Sequence, residues 1–598
     1  MSHRISIFAI LVLVATSKIY AQQAALFENV TVFDGEKIVG PTDVLVEKGK
    51  IAALGTVKEL PEDLERVDGT GKTLMPGMID CHNHAFFEAH LQVAAVFGVT
   101  TEMDMMSVPQ LSRAIKQQQA LGKATNRADM YSAGAAVTVN DGHGTQFGFP
   151  VPTLDKAVNA ADFVTARKSE GSDFIKIIYE DGSAYGFSRP TLSEEMVKAA
   201  ILAAHDLDLL AVAHVSTQDG ARLVVKHGID GLVHLFCDEK IDDALLKEMA
   251  SRKVFVVPTA CVVSNASGKN LTSMVTSDEH LTPFLDQEAL NSLAQTFPRR
   301  AGLSSSLEIL NHNILKLHQS GIPILAGTDA QNPGTSHGVS MHHESRLLQK
   351  AGLKPLEILR SCTSLPAQCF DLADRGWLRV GSRADMILVN GSPHKTISDL
   401  ANIAGVWKGG HRIKRKSTSD RVDTMSPKSA GVDTEVSLIS DFDGEKLESG
   451  FGAGWADSTD TIMGGSSTVN LELKKDGANK SKGALSISGK TRAQQPAFAG
   501  AMFSPGNAPM QPKDLSKYKQ LTFWSKGDGS SFQVMLFFQK RGFTPSMKSF
   551  QADKKWTKHA FDISGFDGCE GTDIIGVWFG SGSAGEFDFQ IDQVQLEE

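Results

Sequence analysis

His82 and His84 are the residues from which a chemical reading of this chain begins. They close the stretch LMPGMIDCHNH at 74–84, a Pro/Gly turn, a short apolar strand and then the two histidines. Residues two apart on a strand share a face, so both imidazoles leave the strand end side by side, as a metal ion requires. A His-x-His pair also occurs on plain surfaces, and the rest of the chain has to decide. Lys176 lies inside DFIKIIY (173–179), His214 inside LLAVAHV (209–215), His234 inside GLVHLF (231–236) and Asp329 inside IPILAGTDA (322–330). Each has a bland reading. A strand-end histidine can be a satisfied structural residue, Lys176 can snorkel outward, and Asp329 can cap a turn. Six such residues at the ends of five strands favour one shared site.

The elements that must position them alternate. VTTEMDMM (99–106), DMYSAGA (129–135) and VFVVPT (254–259) bring the strands to eight, and helix-period segments such as LSEEMVKAAILAAH (192–205) and DGARLVVKHG (219–228) separate them. The fold class is therefore α/β, a (β/α)₈ barrel over 76–380, whose strand ends share one mouth. A doubly wound open sheet is the alternative, but its Gly-rich phosphate turn is absent from these strand ends. Two segments break the rhythm, 137–153 after the third strand and 261–300 after the seventh. Both are candidate lids over the mouth.

The flanks read as strands. Segments 22–75 and 381–415 look alike in kind and predict one small β-sandwich built from both ends of the barrel. Residues 416–436 read as a polar linker. From 437 to 598 the chain is richer in Gly, Ser and aromatics, with alternating strands LTFWSKG (521–527), FQVMLFFQ (532–539) and IIGVWFG (574–580), a separate all-β jelly roll or sandwich.

Composition narrows the partners. The formal charge of -9 leaves no cationic excess for nucleic acid; the short basic run RIKRK (412–416) reads as a solvated linker. Residues 1–21 carry an apolar run, Ile5–Thr16, and end in Ala21, the pattern of a signal peptide. The expectation is export to the periplasm or outside the cell, with no membrane span in the mature chain. The six cysteines show no framework spacing, so a disulfide-stapled scaffold is not expected, and Cys81 and Cys237, in apolar strand contexts, read as buried free thiols.

PGMIDCHNH, AHVSTQDGARLVVKHGIDGLVHLF, AGTDA and the run KAGLKPLEILRSCTSLPAQCFDLADRGWLRVGSRADMILVNGSP resemble the metal-dependent amidohydrolase superfamily, in its imidazolonepropionase-like and Xaa-Pro dipeptidase branch, over about 25–413. The resemblance implies two divalent ions, most often Zn²⁺. His82, His84 and Asp329 would hold one, His214 and His234 the other, and Lys176, carboxylated on its amine, would bridge them. Asp329 would also move the proton in catalysis. His143, in NDGHGTQ, would contact the substrate carbonyl, with a solvated loop histidine as the alternative; Tyr179 would reach a substrate carboxylate, with plain packing as the alternative. His337, His342 and His343 read as supporting or surface residues. The EDGSAYG turn after Lys176 departs from the Gly-rich form common in the dipeptidase branch. The implied reaction is hydrolysis of an amide-type C–N bond, in a dipeptide or N-acyl amino acid. A mononuclear cyclic-amide hydrolase or deaminase is one alternative, and a carbohydrate- or partner-binding protein with a degenerate barrel is another. WADSTDTIMGGSS (455–467) and DLSKYKQLTFWSKGDG (514–529) resemble the complex I intermediate-associated protein family, with its galactose-binding-like fold. That implies a sugar or protein ligand for this domain, or a structural appendage; Trp455, Asp460 and Gly464–Gly465 could simply build a turn.

Overall fold

The computed structural model describes residues 24–57, 60–61, 63–145, 151–297, 306–417, 437–444, 446–460, 467–492, 497–506, 512–538 and 545–598. The expected signal peptide, residues 418–436 of the linker, the 146–150 part of the first lid, the 298–300 part of the second and Gly464–Gly465 lie outside them.

Parallel strands Met78–Asn83, Val99–Asp104 and Asp129–Ser132 form one run of the barrel wall. Ile175–Ile178, Ala211–His214, Gly231–Val233 and Phe255–Val257 form the other. The two runs join where Val137 pairs with Ile177. On the far side the eighth stave closes the ring, Ile324 pairing with Val256 and Ala330 with Asn83. This segment was expected as a full strand over 322–330, yet it forms no continuous ladder: single main-chain bonds, Cys81 N–H to the Ala326 carbonyl and Thr328 N–H to the His82 carbonyl, lie between those two bridges. Pro323 has no N–H to give, and Asp329 turns left-handed at φ 55°. Every stave adds a side chain to one inner cluster, among them Ile79, Met103, Phe174, Val212, Val233 and Leu325. Burial of each contributes about 1.5–3 kcal/mol. The outer faces pack on helices that start where their caps allow. Ser193 accepts from the Met196 N–H ahead of Glu194–His205, and Thr217 accepts from the Gly220 N–H ahead of Gln218–Lys226.

The two flanks meet in one eight-stranded sheet in which Lys72–Pro76 pairs with Met386–Asn390. Ala24–Phe33 and Ile403–Lys408 stand three places apart in its order, about 14 Å if the sheet were flat. Phe27 and Trp407 on these strands nevertheless touch with ring centroids 4.8 Å apart. The sheet therefore curls, and strands from both flanks share one core that includes Phe27, Val46, Ile51, Met386 and Trp407. A buried ion network ties it to the barrel. The Asp129 carboxylate receives Arg375 and Lys408, each at 2.8 Å, and Arg383 at 2.9 Å. Lys408 also reaches Asp385 at 2.6 Å. The basic run at 412–416 is not wholly solvated, because Arg415 donates to the Val96 carbonyl at 2.7 Å and lies over the Phe284 ring at 4.1 Å.

The C-terminal region is all-β, with a six-stranded and a five-stranded antiparallel sheet enclosing one core that includes Leu485, Phe523, Val534, Phe579 and Phe589. Trp455 packs on that core, and buried Asp460 takes the Ser467 N–H at 2.8 Å, so both build the fold. No described helix is long and apolar enough to cross a membrane. Among the described residues no disulfide is formed, and every cysteine but Cys369 is buried.

Burial alone would raise the Asp129 pKa, but Lys408, Arg375 and Arg383 outweigh it and hold the carboxyl at about 2. The unfolded value is ~3.9, so this carboxylate stabilises the fold fully above about pH 4 and loses that contribution as pH falls towards 2. Asp129→Ala leaves Lys408 and Arg383 sharing Asp385 and Arg375 held by Asp374 alone, so the network keeps an excess of buried positive charge; the loss is expected at about 3 kcal/mol, with the acid-dependent part of stability reduced. Urea unfolding at pH 7 and pH 3 checks both.

Candidate active site

Strand alternation sorts the fourth strand. Lys176, Ile178 and Glu180 face one cavity, while Ile175, Ile177 and Tyr179 pack outward. The cavity has a volume of about 390 Å³ and takes in His82, His84, His214, His234 and Asp329. All six expected metal-site residues therefore meet there. His143 joins them, its ring centroid 4.7 Å from that of His214. Tyr179 does not. It lies an odd number of residues from Lys176, so its ring turns to the outer layer beside Gly220. The assignment to a substrate carboxylate is corrected to packing.

The donor atoms converge. Asp329 Oδ1 is 3.3 Å from His82 Nε2 and 3.0 Å from His84 Nε2; Asp329 Oδ2 is 3.9 Å from His234 Nε2. Lys176 Nζ is 3.4 Å from His82 Nε2. Two of the imidazoles are locked in the tautomer a cation needs. His84 Nδ1 lies 3.3 Å from the Met106 carbonyl, which can only accept, so Nδ1 carries the proton and Nε2 keeps its lone pair. His234 Nδ1 lies 2.7 Å from Thr259 Oγ1, whose own proton goes to the Pro258 carbonyl at 2.8 Å. Thr259 sits at φ 49°, a strained place for a β-branched residue, and this pair of bonds fits it there. Lone pairs facing a carboxylate at 3.0 Å need a cation between them, and His82, His84 and Asp329 fit a divalent metal ion.

Burial sets the protonation. It drives the His82 and His214 imidazoles down to about 3, with the Lys176 charge adding to it, so both are neutral ligands at pH 7. Burial likewise lowers His143 to about 3, leaving a neutral N–H donor. The Lys176 amine is pushed down to about 7.

The walls are apolar, with Met105, Met106, Val262, Val263 and Phe297. The last three come from 261–300, so the described part of that insertion lines the cavity. Four polar residues here, Glu180, Tyr185, Arg189 and Asn332, were missed in the sequence. Glu180 was findable, an even four residues from Lys176. Arg189 sits in the loop beyond, where no periodicity points. His337, His342 and His343 are buried, so the surface reading fails; His337 Nδ1 pairs with Glu102 at 3.2 Å.

A closed eight-stave barrel with a histidine–aspartate mouth defines a metal-dependent hydrolase, and the similarities agree. Residues 73–413 match the Amidohydrolase family, to which this chain belongs, and its reaction is hydrolysis of a C–N amide bond. Residues 441–569 match the Complex I intermediate-associated protein 30 family. The chain is 25% identical over 404 residues to the imidazolonepropionase of Colwellia psychrerythraea, spanning 60% of this chain and 88% of that one. It is 22% identical over 443 residues to the ochratoxinase of Aspergillus niger, spanning 64% and 84%. Its fold matches a solved Xaa-Pro dipeptidase with bound methionine at TM-score 0.54 and 20% identity, over 65% of this chain and 100% of that one. A putative prolidase from Bifidobacterium longum matches at 0.55 and 21%, over 68% and 99%.

Asp329→Asn is expected to lower kcat/KM by ~10²–10⁴-fold, the usual range for a lost acid–base group. Tyr179→Phe should change it less than about two-fold, since no hydroxyl reaches the cavity. Steady-state kinetics on the two variants separate these positions.

Proposed function

We propose that this chain is an exported hydrolase cleaving the amide bond of a dipeptide or N-acyl amino acid, with two divalent ions, most plausibly zinc, at the barrel mouth. The observation that carries the reading is the cavity itself. Its floor holds the metal-donor set, its walls are apolar, Arg189 stands at its side, and its 390 Å³ suits a small ligand. An apolar side chain can lie on Met105, Val262 and Phe297 while Arg189 meets a carboxylate. Export is proposed from the leader-like residues 1–21. For the C-terminal sheets, binding of a sugar or protein partner is proposed from the family they match.

When bound, the ions would supply Lewis acidity, polarising the scissile carbonyl and lowering the pKa of water towards ~7. His82, His84 and Asp329 would hold one ion; His214 and His234 the other. Lys176 in its neutral form would attack CO₂ at carbon, forming the N–C bond as one C=O π pair moves onto oxygen and losing one proton, to give a carbamate whose single negative charge is spread over two oxygens that could serve as metal donors. Asp329 accepts the proton of the attacking water and passes it to the leaving nitrogen, which must depart as an amine. His143 donates its N–H to the carbonyl oxygen as negative charge builds there.

A hydrolysis screen over dipeptides, N-acyl amino acids, lactones and cyclic amides, with wild type and Lys176→Ala in parallel, tests this. Turnover is expected on the first two classes, and a loss of at least ~10²-fold in the variant. Turnover confined to cyclic amides would replace the reading with the mononuclear alternative.

The Lys176 amine, at about 7, is mostly neutral only above that pH. Carboxylation therefore gains as pH rises. Metal-stripped protein reloaded with Zn²⁺ at pH 8 with bicarbonate should recover more activity than at pH 6 without it, read as initial rates in a common assay buffer.

A further inference from the structure

Glu180 has no part in the chemistry above, yet its position is costly. Only 2% of the residue is exposed, and a carboxylate so buried must be paired. Oε1 takes the Gly182 N–H at 2.5 Å, which fixes the side chain. Oε2 is turned to His214 Nε2 at 3.2 Å, and the residue lines the cavity on the same strand face as Lys176.

That separation is informative. Two donors at ~2.0–2.2 Å from a shared tetrahedral ion stand about 3.3–3.5 Å apart. In the first cluster, Asp329 Oδ1 is 3.3 Å from His82 Nε2 and 3.0 Å from His84 Nε2. Glu180 Oε2 and His214 Nε2, at 3.2 Å, repeat this spacing on the other side of the mouth. Strand geometry explains how: residue 180 is two pleats beyond Lys176, and the neighbouring strand ends in His214, paired with Ile178.

We propose that Glu180 is a direct carboxylate ligand of the second divalent ion, beside His214. This rests on the metal-dependent reading of the cavity. The second site then has an anionic ligand of its own, independent of any modification of Lys176. A carboxylate beside imidazole suits zinc and other divalent ions that accept mixed N/O donors.

Metal binding rather than turnover tests it. Metal-free full-length wild type, Glu180→Gln, Glu180→Asp and Asp329→Ala are titrated with Zn²⁺ by calorimetry, and zinc retained after dialysis is measured by atomic emission. Wild type is expected to bind two equivalents. Glu180→Gln, which still accepts from Gly182, should keep one and bind the second at least ~10-fold more weakly. Glu180→Asp should fall between them, and Asp329→Ala should lose the other equivalent. Unfolding temperatures of the metal-free proteins show whether each variant folds, and the Asp variant carries the comparison should the Gln variant not. Two equivalents of unchanged affinity in Glu180→Gln, or in the Asp variant where that stands in, would overturn the assignment. One equivalent in wild type also overturns it while leaving a single-ion hydrolase standing. None in wild type overturns both.

Discussion

Asp80 has no exposed surface, and its carboxylate stitches the first barrel stave to the eighth. One oxygen accepts the N–H groups of His82 and Thr328, each at 3.1 Å, and the other takes the Thr328 hydroxyl at 2.7 Å. Main-chain bonds run beside it, Cys81 N–H to the Ala326 carbonyl at 3.0 Å and Asp329 N–H to the His82 carbonyl at 2.6 Å. The seam brings together two segments almost 250 residues apart, as the Asp80–Thr328 separation of 248 positions records. Without it, His82 and His84 would face Asp329 only by chance. Because these bonds are buried, breaking one strands a polar group without water to replace the partner. The candidate metal site of His82, His84 and Asp329 is thus as rigid as the barrel closure.

The remaining features refine that frame. Partners behind the ligands fix their orientation, as Met106 does for His84 and Thr259 for His234. Burial then keeps the imidazoles neutral, which is the form a metal can use. The same burial that makes Lys176 expensive as a cation makes its amine a nucleophile near neutral pH. Position and chemistry are two consequences of one buried set of side chains at the strand ends.

At the other end of the barrel the ion network around Asp129 performs a mechanical task. Lys408 and Arg375 both come from beyond the eighth stave, and both return to the first residue of the third strand. The flanking sheet is locked to the barrel by charge as well as by apolar contact, while the mouth stays open for chemistry. The C-terminal sheets have their own aromatic core and are a self-contained fold.

Much of this was legible in the residues. Apolar strand runs with a polar residue at the end revealed the eight staves and the six residues at the mouth, because strand period and burial act locally and leave their mark in order along the chain. The sequence also carried the alternation that turns Tyr179 outward and Glu180 inward; the misreading of Tyr179 came from counting distance along the strand instead of parity. Other features had no local mark. The eighth stave reads as a strand but forms no continuous ladder, since Pro323 and the left-handed Asp329 limit its pairing only in the presence of its neighbours. Arg189 reaches the cavity from an irregular loop, and Arg415 docks on Phe284 although its run looks like a solvated linker. His337, His342 and His343 become buried only when the helix Val339–Lys350, which carries the last two, packs onto the rest of the fold. Periodicity fixes which face a side chain takes within one element. What that face meets depends on contacts between segments hundreds of residues apart, and those exist only in the folded chain.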